Sequence, residues 1–276
     1  MFKFNVFGGE HKVPTGTYTN HHAPRQDTTE LIQGVSWHLD GTGEYNMYID
    51  EALLLAFEHG SEMKKYGWLL EGKAIIPNIY GFFVDNLDAF MNVFEIVFTS
   101  DRSIYELHDR IHFVPANTLW VKEPKLYPKT KLVSMISSSN ADTSGHMFRL
   151  NWMNKLLGHV DVYGRQINPI DRKEDGLADY MFSVAMENSS YPTYFTEKIL
   201  DCFATGTIPI YWGSPDIADY FNPDGIIMLT DDFTTAQLSP ELYESKIEAV
   251  KENFERVKEY TVLENYMYNH YLKELL

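Results

Sequence analysis

The sequence predicts an alpha/beta protein of two parallel-sheet units that face each other across a cleft, with helices at the carboxy-terminal end. Three observations carry this reading. Short apolar, beta-branched runs alternate with amphipathic stretches in two separate series, a proline- and lysine-rich stretch divides the series, and from Ser239 to Leu276 the pattern is mostly helical. The 276 residues are 44% hydrophobic and 14% aromatic, enough to fill the core of one large domain or of two ordinary ones.

The first 50 residues carry Gly8-Gly9, Gly16 and Gly41-Thr42-Gly43, and read as loops with one or two strands. The first series follows. Tyr66 to Leu70 and Glu95 to Thr99 read as strands around a helix that Pro77 can start and that carries Ile79, Phe82, Phe83, Leu87 and Phe90; Ile111 to Pro115 adds a strand. Trp120 to Lys131, with Pro124, Pro128 and four lysines, reads as a surface linker. The second series runs through Leu132 to Ile136 (strand), Gly145 to Leu157 (helix), Val160 to Tyr163 (strand), Phe182 to Met186 (strand), Thr196 to Ala204 (helix) and Ile208 to Trp212 (strand). The expected domains are residues 1–125, residues 126–260, and 261–276 as a carboxy-terminal helix that packs back.

A formal net charge of -16 argues against a general electrostatic grip on nucleic acid or an anionic membrane, so any anionic ligand must meet a local basic cluster. Cys202 is the lone cysteine, which excludes an intrachain disulfide and a Cys-rich zinc site and favours a reducing compartment. No apolar run reaches the length of a signal peptide or a membrane span. The expectation is a soluble, cytoplasmic protein with no integral membrane segment.

The informative stretch is FSVAMENSSYPTYFTEKILDCFATGTIPIYWG, Phe182 to Gly213. A buried-looking strand ends at Glu187-Asn188, and a polar loop leads into a helix opening at Thr196. Ligands of open alpha/beta sheets sit beyond the carboxyl ends of the strands, and free amides at a helix N-terminus attract phosphate. Lys198, in the first helical turn, opposes the helix dipole and is locally unfavourable unless an anion sits there. An exposed lysine tolerated at small cost is the plain alternative. The company of Asn188, Tyr194, Thr196 and Glu197 in one loop, followed by Trp212-Gly213-Ser214-Pro215 at the end of the next strand, favours a ligand edge.

The longer stretch ENSSYPTYFTEKILDCFATGTIPIYWGSPDIADYFNP resembles the donor-binding signature of the alpha-1,3/4-fucosyltransferases, the family-10 glycosyltransferases. That signature has a carboxylate-Asn pair, a Tyr, any residue, Thr-Glu-Lys, then a Pro-containing strand ending in Gly. The likeness extends more weakly over Lys131 to Phe221, and only faintly to the amino-terminal half. It implies a GT-B-like fold of two Rossmann-like domains, and transfer of fucose from GDP-fucose to a hydroxyl of a glycan acceptor with inversion, as in protein glycosylation. By matching position it implies that Asn188, Tyr194, Glu197 and Lys198 contact the nucleotide sugar, with Glu197 at the ribose hydroxyls and Lys198 facing the diphosphate. The family also has an arginine on the first helix of the donor domain, and Arg149 in GHMFRLNWMNKL occupies that place after the strand KLVSMISSS. Its planar fork suits diphosphate oxygens, whereas a lone arginine is otherwise best read as a solvated helix residue. With no carboxylate cluster for a metal, the departing charge falls to Arg149, Lys198 and the helix end at Thr196, so neither metal nor cofactor is expected.

Inversion needs a base on the acceptor hydroxyl, opposite the leaving group. In the family this is a glutamate of the amino-terminal domain, and Glu71 in KKYGWLLEGKAIIP, at a strand end before a glycine, matches it by position although its surroundings depart from the family's motif. Asp101, ending EIVFTSD, is the reserve. His11, His21, His22 and His38 lack carboxylate partners at ligand spacing, Asn188-Ser189-Ser190 is read as an accidental glycosylation sequon, and Gly41-Thr42-Gly43 lacks the third glycine of a dinucleotide fingerprint. Two rivals stay open: a transferase using another nucleotide sugar, and an inert nucleotide-sugar or carbohydrate-binding protein that kept the donor loop and lost the base.

Overall fold

The structure is a computed structural model that describes residues 1–8, 32–38, 40–60, 62–141 and 143–275. His11, His21, His22, Gly9 and Gly16 lie outside the described residues. The chain divides into two compact units, one of Met1–Thr118 with Val262–Leu276 and one of Leu119–Thr261.

The first unit holds strands β1 (Phe2–Phe7), β2 (Val35–His38) and β3 (Tyr45–Ile49), helix α1 (Leu55–Glu58), β4 (Lys65–Leu69), α2 (Pro77–Asp85), α3 (Leu87–Val93), β5 (Ile96–Thr99), α4 (Arg102–Tyr105) and β6 (Ile111–Phe113). Its sheet has the order β2-β1-β3-β4-β5-β6, with every pairing parallel. Side-chain alternation explains why both faces are covered. Phe4, Met47, Tyr66, Trp68 and Phe98 fill one core, while Tyr48, Leu69 and Val97 point into another made with Phe83, Phe90 and Phe94. Among the described residues, three strands, not one or two, lie within the first 50; β2 and β3 are short and each gains its partner only in the sheet. The expected helix from Pro77 through Phe90 breaks at Asn86, whose side-chain amide donates to Phe82 O at 2.9 Å and so ends α2.

The second unit holds β7 (Lys131–Ile136), α5 (Ser144–Leu156), β8 (Asp161–Tyr163), β9 (Tyr180–Met186), α6 (Glu197–Thr205), β10 (Ile208–Trp212), β11 (Ile227–Met228), α7 (Pro240–Ser245) and α8 (Ile247–Val257). Its sheet is also parallel, in the order β11-β10-β9-β7-β8. Sequence order reverses between β7 and β9, and such a switch point opens a crevice at the carboxyl ends of the two strands. Val133, Met135, Phe182, Val184, Ile208 and Ile210 share a core with Trp152 and Leu156 of α5. Helix α6 is capped by Thr196 and closed by Gly206, whose φ of 72° is the left-handed conformation a C-terminal glycine supplies. After α8 the chain rejoins the first unit through α9 (Leu263–Met267); Leu263 and Met267 of this helix, and Leu272 after it, pack on the face of Phe4 and Trp68.

Trp120 to Lys131 is largely exposed and has no helix or strand until β7 begins at Lys131, as its composition suggests, yet it is tied down at several points. Leu119 and Val121 are fully buried, and two buried carboxylates hold the backbone that follows. Asp201 Oδ1 accepts Trp120 N at 2.7 Å and Val121 N at 3.0 Å; Glu174 Oε1 accepts Lys122 N at 2.6 Å and Glu123 N at 3.1 Å. Lys129 turns inward, its Nζ donating to Ala178 O (2.9 Å), Thr205 O (2.8 Å) and Thr207 Oγ1 (2.9 Å), and burial pulls its ammonium down to about 7. Lys129→Met keeps the length of the stem but strips these acceptors of their donor. Urea unfolding should show a loss of roughly 2–4 kcal/mol; a loss under about 0.5 kcal/mol, the level of an ordinary surface change, would mean that the lysine is not a structural tie.

Candidate functional site: a buried charge cluster at the switch point

Strand β9 is followed by Glu187, which is fully buried, and Asn188. Glu187 is fixed from two sides. Its backbone N–H donates to Trp212 O at 2.9 Å, and Gly213 lies so close that a Cβ there would stand 2.5 Å from Glu187 Cγ. Its carboxylate then reaches across the loop to the cap of α6: Oε1 accepts Thr196 N (2.9 Å) and Oε2 accepts Thr196 Oγ1 (2.6 Å). The loop 188–195 is thereby closed at its base.

Lys198 stands over this clasp. Its Nζ is 3.1 Å from Glu197 Oε1 and 3.5 Å from Glu187 Oε2, and it donates to Thr196 Oγ1 at 3.1 Å. The first-turn lysine is therefore stabilised by two carboxylates within the chain itself, rather than waiting on an external anion. Burial works against every charge here, and the partners decide the outcome. Burial raises Glu187 above the usual carboxylate range despite Lys198. For Glu197 burial is outweighed by Lys198 and Lys173, which hold it below that range. For Lys198 burial is outweighed by Glu197 and Glu187, which keep it protonated.

Arg149 reaches the same place from α5, whose start is locked onto the loop. Thr143 caps α5, accepting His146 N at 3.1 Å, and its Oγ1 donates to Asn188 O at 3.1 Å. Gly145 touches that carbonyl directly: a Cβ at 145 would sit 2.1 Å from Asn188 O. One turn later Arg149, 3% exposed, donates from Nη1 to Asn188 Oδ1 (3.0 Å) and from Nη2 to Ser138 Oγ (2.9 Å). Ser138 follows β7 and Asn188 follows β9, so the guanidinium spans the two strand ends that form the switch point. Both its partners are neutral. Its Nε is buried without a hydrogen-bond partner among the described residues, and burial lowers the affinity of the guanidinium for its proton, partly offset by Glu187 and Glu197. Tyr194 is buried in the loop with its ring stacked on Tyr191, centroids 4.6 Å apart.

Arg149, Asn188, Tyr194, Thr196, Glu197 and Lys198 thus lie in one cluster of the second unit. Sequence reading missed Ser138, Thr143, Gly145 and Lys173 and gave Glu187 no role of its own. The run of serines after β7 and the Thr-x-Gly-His opening of α5 were the available signals.

Glu71 belongs to the first unit, just past the end of β4. Its N–H donates to Asp50 Oδ1 at 3.2 Å beside Leu70 N at 2.8 Å, and its carbonyl accepts Tyr80 Oη at 3.0 Å. Asp50 follows β3 at a φ of 53°, and burial pushes its carboxyl up to about 7. Asp101, past β5, is already committed: Oδ1 caps α4 by accepting Ser103 N (2.9 Å), and Oδ2 is 2.8 Å from Lys73 Nζ. His38 bonds Thr42 Oγ1 (2.9 Å) and Ser36 Oγ (3.1 Å) within its own strand region. Among the described residues no three His, Cys, Asp or Glu side chains group as a metal site, and no helix is long and apolar enough to cross a membrane.

Residues 126–273 match the family model described as glycosyltransferase family 10 (fucosyltransferase) C-term. Among curated proteins, the alpha-(1,3)-fucosyltransferase FucT of Helicobacter pylori is 42% identical over 82 residues, 30% of this chain and 17% of that protein. Alpha-(1,3)-fucosyltransferase 4 of Mus musculus is 35% identical over 122 residues, 41% of this chain and 27% of its own length. GDP-fucose protein O-fucosyltransferase 3 of Bos taurus is 33% identical over 102 residues, 31% and 21%. The chain therefore aligns with less than a third of the length of each of these relatives. In three dimensions it is similar to an alpha1,3-fucosyltransferase with GDP-fucose (TM-score 0.52, 17% identity, 93% of this chain and 81% of the other) and with GDP (0.53, 15%, 95% and 92%). The fold is GT-B-like, two parallel-sheet alpha/beta units.

The two cations of the cluster differ in what they leave behind. Lys198→Ala strands two buried carboxylates, and chemical unfolding should show a loss of about 3–5 kcal/mol. Arg149→Ala leaves only the neutral Asn188 and Ser138, and should cost about 1–2 kcal/mol at most. Equal losses would contradict the charge assignment.

Proposed function

The chain belongs to glycosyltransferase family 10, the fucosyltransferases, and from that premise we propose that it transfers fucose from GDP-fucose to an acceptor hydroxyl with inversion. The observation that carries the reading is Arg149: a guanidinium buried at the switch point of a parallel sheet, held by neutral acceptors and lacking a carboxylate of its own. A buried cation is costly unless compensated, and a diphosphate supplies the compensation along with two acceptor oxygens for the fork.

In this reading the bond between the fucose anomeric carbon and the β-phosphate oxygen breaks, and negative charge grows on the departing GDP. Arg149, the Lys198 ammonium and the amide end of α6 meet that charge, all held in place before substrate arrives. Glu197, kept ionised by Lys198, accepts from ribose hydroxyls, while Asn188 and Tyr194 line the donor loop. Glu71 takes the proton from the acceptor hydroxyl as the new bond forms on the opposite face of the sugar. Asp101 is the weaker candidate, since its oxygens already serve Ser103 and Lys73. No divalent metal is required, because fixed cations do its work. We further propose a cytoplasmic setting, in keeping with the single, buried thiol of Cys202.

A glycan is the proposed acceptor. The matches to protein O-fucosyltransferase 3 favour a second reading with a serine or threonine hydroxyl as acceptor, so labelled GDP-fucose should be offered to glycans and to peptides. Labelling of neither, with GDP bound normally, would favour an inert binding protein, and transfer from a different sugar nucleotide would correct the donor. With an acceptor in hand, Arg149→Ala should weaken GDP and GDP-fucose together by about 10- to 100-fold. Glu71→Gln should leave GDP affinity unchanged and lower turnover by roughly 100-fold or more. Normal turnover in Glu71→Gln would remove it as the base. Transfer should persist in excess chelator; loss that magnesium or manganese restores would overturn the metal-free reading.

A further inference from the structure

Tyr191-Pro192-Thr193-Tyr194 makes a tight turn inside the donor loop, with Tyr194 N donating to Tyr191 O at 3.3 Å. Proline at the second position and a positive φ at the third are the marks of a type II turn, whose third position calls for glycine. Here it holds Thr193, at a φ of 68° and fully buried. A beta-branched residue in the left-handed region crowds its Cβ against the backbone, and such strain persists only where the surroundings impose it. Asp216, in the loop after β10, is what faces it: Thr193 N donates to Asp216 Oδ1 at 2.8 Å, and the same oxygen accepts Ser214 Oγ. The turn carries the stacked pair Tyr191 and Tyr194, and two residues further on the chain reaches Thr196, the residue clasped by Glu187.

We propose that Asp216 is a positioning residue of the donor site, which holds Thr193 in its strained turn and thereby sets Tyr194 and the loop for the nucleotide. The role rests on the donor reading above. Without the carboxylate, Thr193 relaxes to negative φ, the turn opens, and Tyr194 leaves its place. Glycine at 193 has no such preference, so it should make the carboxylate dispensable.

The test compares the unaltered chain, Asp216→Ala, Thr193→Gly, the double variant and Asp216→Asn, reading GDP affinity by calorimetry well below the melting transition. Asp216→Ala should weaken GDP about tenfold, the loss of one charge-assisted bond. Thr193→Gly in that background should recover affinity to within about threefold of the unaltered chain, since glycine enters the left-handed region without steric cost. Asp216→Asn, which keeps an acceptor oxygen, should lose less than Asp216→Ala. If Asp216→Ala does not fold, Asp216→Ser, too short to reach the Thr193 amide, carries the same comparison. A lower melting temperature with unchanged GDP affinity would reduce Asp216 to a structural role and overturn the proposal. So would a double variant as weak as Asp216→Ala. An unaltered chain that binds no GDP would sink the donor reading, and this role with it, before any variant is compared.

Discussion

The carboxylate of Glu187 ties the end of β9 to the start of α6, and the whole donor loop hangs from that tie. Its two oxygens take the backbone N–H of Thr196, an orphan donor of the helix start, and the hydroxyl of the same residue. A buried carboxylate of this kind is expensive unless a cation is near, and Lys198 is the cation. Loop closure, helix capping and the placing of a lysine at the strand edge are thus one arrangement. Gly213 and Gly145 make it possible by keeping their Cβ positions empty, one beside Glu187 and one beside Asn188 O.

Charge accounting within the cluster distinguishes its two basic residues. Lys198 is balanced inside the chain by Glu187 and Glu197. Arg149 is satisfied in hydrogen bonding at both Nη atoms but not in charge, because Asn188 and Ser138 bring none. On the proposed reading the anion belongs chiefly to Arg149, and Lys198 adds a second contact whose cost the chain has already met. In the first unit the carboxyl ends of three neighbouring strands bring Asp50, Glu71 and Asp101 forward, and Asp50 uses one oxygen to hold the backbone of Leu70 and Glu71.

The strands and helices of both sheets were legible wherever the pattern was local: the apolar run ending at Glu187-Asn188, the threonine that opens α6, the proline that opens α2. The loop motif was legible as well, since Tyr194, Thr196, Glu197 and Lys198 stand within five positions. What could not be read were contacts made over long separations. Thr143 and Gly145 serve the site through Asn188, more than forty residues away, and no periodicity carries that information. The ties that hold Trp120 to Lys131 were hidden for the same cause: prolines and lysines suggest solvent, and most of the segment is exposed, but the carboxylates that hold its backbone, Glu174 and Asp201, come some fifty and eighty residues later. The three early strands were hidden by glycines and by the shortness of β2 and β3, which become strands only beside β1.

The central claim is that a nucleotide diphosphate occupies the cluster around Arg149 and Lys198. Amide hydrogen exchange with and without GDP tests it most directly, because the loop and the first turn of α5 are the segments a bound diphosphate must quiet. Slowed exchange concentrated in residues 187–198 and 143–150 is the expected result. GDP binding that leaves both segments unchanged and protects another part of the chain would contradict the account.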